Sequence, residues 1–118
     1  MLTGVVLFLV VLSLGNSGAG DTGATVVEKD GVQIVRILAR GGYNPRRITA
    51  KAGVPTVIEM ETKGTYDCSS ILVIPSLNYQ KNLPPSGLTT IDVPPQRTGS
   101  VLKGLCGMGM FSFDIAFN

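Results

Sequence analysis

The 118-residue chain has no histidine, no tryptophan and only two cysteines. Without an imidazole, neither a Ser-His-Asp nor a Cys-His constellation can form, so hydrolysis of those types is excluded and the chain is expected not to be an enzyme. The same absence removes the mixed nitrogen–sulfur sites of zinc enzymes and of blue-copper electron carriers. Charge is sparse as well. A formal net charge of +2, with no basic run longer than Arg46-Arg47, is too little for a nucleic-acid surface. The carboxylates (Asp21, Glu28, Asp30, Glu59, Glu61, Asp67, Asp92 and Asp114) never cluster as Ca²⁺ or Mg²⁺ loops require.

No apolar run reaches the roughly 20 residues that a helix needs to cross a bilayer core. Residues 1–14, MLTGVVLFLVVLSL, carry no charge and match the apolar region of about 7–15 residues found in signal peptides, though without a basic start. Residues 15–24, rich in glycine and small residues, read as a flexible linker. The expected organisation is therefore a signal or anchor segment (1–14), a linker (15–24) and one domain (25–118). This places the domain outside the cytoplasm, tethered to the membrane at the cell surface, or alternatively secreted or periplasmic after cleavage.

From Thr25 the pattern is one of strands and turns. Val26-Val27-Glu28 and Val32 to Ala39 flank Lys29-Asp30-Gly31, and Asp-Gly is a tight-turn signal. Arg40 to Pro45 reads as a loop, and Ile48 to Lys51 and Val54 to Glu61 follow as strands. In the latter, Glu59 and Glu61 alternate with Ile58 and Met60, which assigns Met60 to the core. Ile71 to Ile74 is apolar on both faces, as expected of a central strand, and residues 76–87 read as a loop. Thr89, Ile91 and Val93 alternate with Thr90 and Asp92; Val101 to Leu105 is a further strand. Phe111, Phe113, Ile115 and Phe117 give the cleanest period of two. Seven or so short strands predict an all-β fold, a Greek-key β-sandwich.

What stands out within this frame is sulfur. After Met1 there are three methionines, and two of them lie with a cysteine in Cys106-Gly107-Met108-Gly109-Met110; Cys68 is the other cysteine. Thiolates and thioethers together select soft metals, Cu(I) above all. The three loop sulfurs are even-numbered while the final strand buries odd positions, so a continuous strand would point them to solvent. Gly107 and Gly109 permit the positive-φ conformations of a tight loop, which would gather the sulfurs at one end of the sandwich. Cys68, on another strand, is expected to close the site across the sandwich. Asp67 beside it is placed either to orient the site or as a solvated loop residue. The alternative for Cys68 and Cys106 is a structural disulfide, or a thiol-redox pair. The alternative for the methionines is packing, but their glycine neighbours would leave them exposed.

The segments Gly42-Tyr43-Asn44-Pro45, Ala50-Lys51-Ala52-Gly53-Val54-Pro55, Asp67-Cys68, Ile74-Pro75-Ser76-Leu77, Leu83-Pro84, Pro95 and Cys106-Gly107-Met108-Gly109-Met110 resemble the cupredoxin-like domains of bacterial copper resistance. The resemblance is to the CupA-type cell-surface copper chaperones and to related domains of copper-exporting P-type ATPases. It implies Cu(I) ligation by Cys68, Cys106, Met108 and Met110, holding one or two ions, with a bridging thiolate between a tight cysteine site and a weaker methionine site. It also implies a role in buffering copper and handing it on, with an exporting P-type ATPase or its metal-binding domain as partner. Ordinary cupredoxins use two histidines. Here Cys68 stands where the first would be and Met108 replaces the second, which weighs against electron transfer.

Overall fold

The structure, a computed structural model, describes residues 25–118; the segment 1–14 and the linker 15–24 lie outside the described residues. Among the described residues, ten strands form two sheets. They are β1 (Val26–Lys29), β2 (Val32–Ala39), β3 (Tyr43–Asn44), β4 (Arg47–Ala50), β5 (Thr56–Thr62), β6 (Ile71–Ile74), β7 (Tyr79–Asn82), β8 (Gly87–Val93), β9 (Val101–Cys106) and β10 (Ser112–Phe117). One sheet runs β1-β2-β5-β8, with β3 added to β2; the other runs β4-β10-β9-β6-β7. The pairs β2–β5 and β4–β10 are parallel, the rest antiparallel. The fold is thus the expected all-β sandwich, and among the described residues no helix is long and apolar enough to cross a membrane.

Local chemistry accounts for the elements. Asp30 and Gly31 take φ of 55° and 79°, the left-handed pair of a two-residue hairpin turn, which sets Lys29 against Val32. In β5, Thr56, Ile58, Met60 and Thr62 are buried while the alternate positions face outward. The outward Glu59 pairs with Arg36 of β2 at 3.0 Å. Val35, Ile37, Ile58, Met60, Ile91 and Val93 of one sheet meet Leu72, Ile74, Leu102, Phe113, Ile115 and Phe117 of the other in a single core. Met60 is completely buried.

Two elements depart from the sequence reading. The stretch 76–87 is not all loop, because Tyr79–Asn82 pairs with β6. It is an edge strand whose Gln80, Lys81 and Asn82 are exposed, so it carries no apolar alternation to detect. Tyr43–Asn44, within the expected loop after β2, pairs with Leu38 and Ala39 of β2. The count rises from seven or so to ten.

Candidate metal centre

The candidate sulfurs lie on the turn before β6, at the end of β9 and in the loop between β9 and β10. β6 and β9 pair with Leu72 opposite Cys106 and Val73 opposite Leu105. Cys68 opens a single 3-10 turn, Cys68–Ser70, that leads directly into β6. Adjacent antiparallel strands therefore bring the two cysteines together, with Cα atoms 5.6 Å apart and the sulfurs joined in a disulfide. Cys68 does not close the site across the sandwich: it lies on the turn that enters β6, and Cys106 ends β9, the neighbouring strand of the same sheet. The disulfide is the alternative that the sequence left open, and it describes the oxidised, metal-free pair.

Between β9 and β10 the chain reverses through residues 107–111. The Cys106 amide donates to Phe111 O at 3.0 Å and the Gly109 amide to Cys106 O at 2.8 Å. This reversal also changes the parity of the strands. With Ser112 opposite Leu105 and Phe113 opposite Gly104, even positions of β9 share the core face with odd positions of β10. Cys106 is accordingly buried beside Leu102 and Phe113, not on the solvent side. The two loop glycines have different duties. Gly109 has φ of +74°, where a side chain would be strained. Gly107 has no such φ; an added Cβ would lie 2.9 Å from Ile71 Cγ2, so it is glycine for want of space.

Met108 and Met110 project from this loop with 81% and 70% of their surface exposed. Thioethers with so little packing are available to a ligand. The Met108 amide donates to Cys68 Sγ at 3.4 Å, and the Phe111 amide to Cys106 Sγ at 3.4 Å. Each sulfur thus has a backbone N–H that would also serve a thiolate. Met108 sits against Cys68 through its main chain, and Met110 shares its loop. Of the four candidate residues, the two cysteines are in contact and the two methionines are gathered at the same end of the molecule. Among the described residues, no three of His, Cys, Asp and Glu gather as a metal site.

Asp67 is more than a solvated neighbour. Its carboxylate accepts from the Ser69 amide at 2.7 Å and from the Ser69 hydroxyl through Oδ1, and from the Gly41 amide at 2.7 Å through Oδ2. It caps the turn that carries Cys68 and ties the β2–β3 loop to it. The Ser69 hydroxyl, then the Ser69 amide and the Gly41 amide, hold its carboxyl below the ordinary range. Gly42 in turn lies against Phe111, an added Cβ falling 3.4 Å from the ring. Tyr43 packs edge-on to Phe113 at 5.1 Å, and burial, helped by the Asp67 charge, pushes its phenol well above the usual range. The segment Gly41–Tyr43 was readable only as a loop, since a brace of this kind leaves no spacing signal.

Fold and site together define a cupredoxin-type sandwich with two joined cysteines and two exposed methionines gathered at one end. The cupredoxin-like domain model matches residues 4–114, and the chain belongs to that family. Among solved structures it is similar to the metal binding domain of the Streptococcus pneumoniae D39 Cu(I) exporting P-type ATPase CopA with Cu(I). The two are 23% identical with a TM-score of 0.71, over 81% of this chain and 99% of that one. It is also similar to a copper binding protein solved in the apo form by NMR, 27% identical with a TM-score of 0.71, over 82% of this chain and 98% of that one. A search of curated proteins gave no match.

Proposed function

We propose that this chain binds Cu(I) through Cys68, Cys106, Met108 and Met110 outside the cytoplasm, buffers it, and hands it to another copper protein. The observation that carries this reading is the contact of Cys68 with Cys106 directly beneath a loop that leaves Met108 and Met110 exposed. Once reduced, the cysteines offer two anionic soft donors, and the methionines two neutral ones at the surface. That set suits Cu(I) and not a hard cation. The 27% identity to a copper binding protein of the same fold points the same way. Exposed thioethers also suit delivery, because an acceptor can replace them one at a time. The acceptor we propose is a copper-exporting P-type ATPase or its metal-binding domain, and the attachment we propose is membrane anchoring through residues 1–14. No catalytic role is part of this reading.

The test is a Cu(I) titration of the reduced, anaerobic chain against a chromophoric chelator. The wild type should compete for Cu(I), and the Cys68→Ser, Cys106→Ser double variant should not. Equal affinity in the two would end the proposal. Adding Cu(II) should oxidise the thiols; a persistent intense blue band with reversible one-electron cycling would instead indicate electron transfer.

A further inference from the structure

The two cysteines are joined but not equivalent. Cys106 is 2% exposed, closed in by the core, whereas Cys68 sits partly exposed on a surface turn. Thiol–disulfide exchange needs access to the attacked sulfur and a leaving sulfur able to carry charge. Cys68 offers the access. Both sulfurs accept a backbone amide at 3.4 Å, Cys68 from Met108 and Cys106 from Phe111, so either is supported as a leaving thiolate and access decides which one is attacked.

We infer that the Cys68–Cys106 disulfide is a thiol-exchange site, and that Cys68 is the sulfur that a low-molecular-weight thiol attacks. In the first step the external thiolate forms a bond to Cys68 Sγ, the disulfide breaks, and Cys106 departs with the electron pair as a thiolate. In the second step another external thiolate attacks the external sulfur of the mixed disulfide. That releases the Cys68 thiolate and leaves the two external thiols joined as their own disulfide. Two electrons pass from the two external thiols to the protein pair, and each external thiol gives its proton to water. The consequence for copper rests on the function proposed above: the joined sulfurs offer no thiolate, so exchange at Cys68 gates entry of Cu(I).

The experiment takes the full-length chain, oxidised and copper-free, and adds reduced glutathione anaerobically, with acid quenching and peptide mapping over time. A glutathione adduct should appear on Cys68, in about tenfold or greater excess over Cys106, and then give way to two free thiols. An adduct chiefly on Cys106, an even division, or a disulfide that resists the thiol would overturn the inference. Single variants provide a second reading that does not depend on the bond. The lone thiol of Cys106→Ser should react with N-ethylmaleimide about tenfold faster than that of Cys68→Ser, both checked for folding by circular dichroism. Equal rates would count against it. A copper arm separates the two proposals. Cu(I) uptake by the reduced but not the oxidised chain supports the gate, and equal uptake by both removes it. No uptake by either removes the copper reading, while the attacked sulfur is still decided by the mapping, which contains no copper.

Discussion

The two ends of this sandwich are built on opposite plans. At one end the buried Gln33 side chain donates to Lys51 O and Thr56 Oγ1, both at 3.1 Å, and accepts from the Lys51 amide at 2.8 Å. The C-terminus is stitched in beside it, Ala52 N to Asn118 O and Asn118 N to Ala50 O, both at 3.0 Å. Every polar group named there has a partner within the fold. At the other end, Cys68, Met108 and Met110 reach the surface, and the polar groups serve to hold loops: Asp67 braces Gly41 and the Cys68 turn. One end closes the sandwich; the other presents soft donors at the surface. Substitutions should therefore separate stability from metal binding according to the end they touch.

The largest effect should come from the cysteines, where the two properties meet. Replacing both by alanine removes a cross-link between residues 38 apart in sequence, roughly 4 kcal/mol by loop-closure entropy. Chemical denaturation of oxidised wild type and variant measures this, and Cu(I) uptake should vanish in the same variant. Next is Gln33→Ala, which strips one buried and two part-buried hydrogen bonds from the closed end, for a loss of about 2–3 kcal/mol. Cu(I) affinity of the folded protein should not change. A matching drop in affinity would break the separation of the two ends.

Gly107→Ala comes third. Its Cβ would lie 2.9 Å from Ile71 Cγ2, so the loop or the start of β6 must give way, at a cost of about 1–3 kcal/mol. Because β6 follows directly from the Cys68 turn, Cu(I) affinity should fall as well, as chelator competition will show. Gly109→Ala would instead strain the backbone at φ of +74° without a steric clash.

How far such effects could be foreseen depended on whether a residue declares its role through periodicity. The limits of β2, the burial of Met60 and the all-β architecture were legible because apolar alternation is a direct imprint of a half-buried sheet. The sulfur loop was legible because cysteine and methionine are rare here and their chemistry is distinctive. The β7 edge strand was not, since an edge strand is selected to be polar. Nor was the face of Cys106, because parity is reset by a reversal whose register no local pattern records. The different duties of Gly107 and Gly109 were hidden for the same reason: want of space depends on Ile71, which lies far away in sequence.

A smaller effect should follow from Asp67→Asn. Oδ2 accepts the Gly41 amide; an amide nitrogen at that position would face another donor, or else Ser69 would lose its acceptor. Loss of such a cap costs about 1 kcal/mol. Because the folded-state carboxyl is held low by Ser69 and Gly41, its stabilising contribution is complete above the ordinary aspartate range near about pH 4 and is lost as pH falls through the lower folded value. Thermal melts of wild type and variant should therefore converge in acid and stay apart at neutral pH. A constant gap down to low pH would mean that the brace does not depend on its charge.

The smallest change in stability should accompany the clearest change in function. Met108 and Met110 are 81% and 70% exposed, so Met108→Leu, Met110→Leu removes almost no buried contact and should leave the unfolding free energy within about 0.5 kcal/mol of wild type. Leucine keeps the bulk and apolar character of the side chain and deletes only the sulfur. If the exposed thioethers hold a second, weaker ion beside the cysteine pair, the copper-to-protein ratio should drop from two to one, and the remaining ion should keep its affinity. If wild type binds one ion and the methionine variant none, the thioethers complete a single site with the cysteines. A variant that loses stability while keeping both ions would sink the division between the two ends, because it would show these methionines packing the fold and not binding metal.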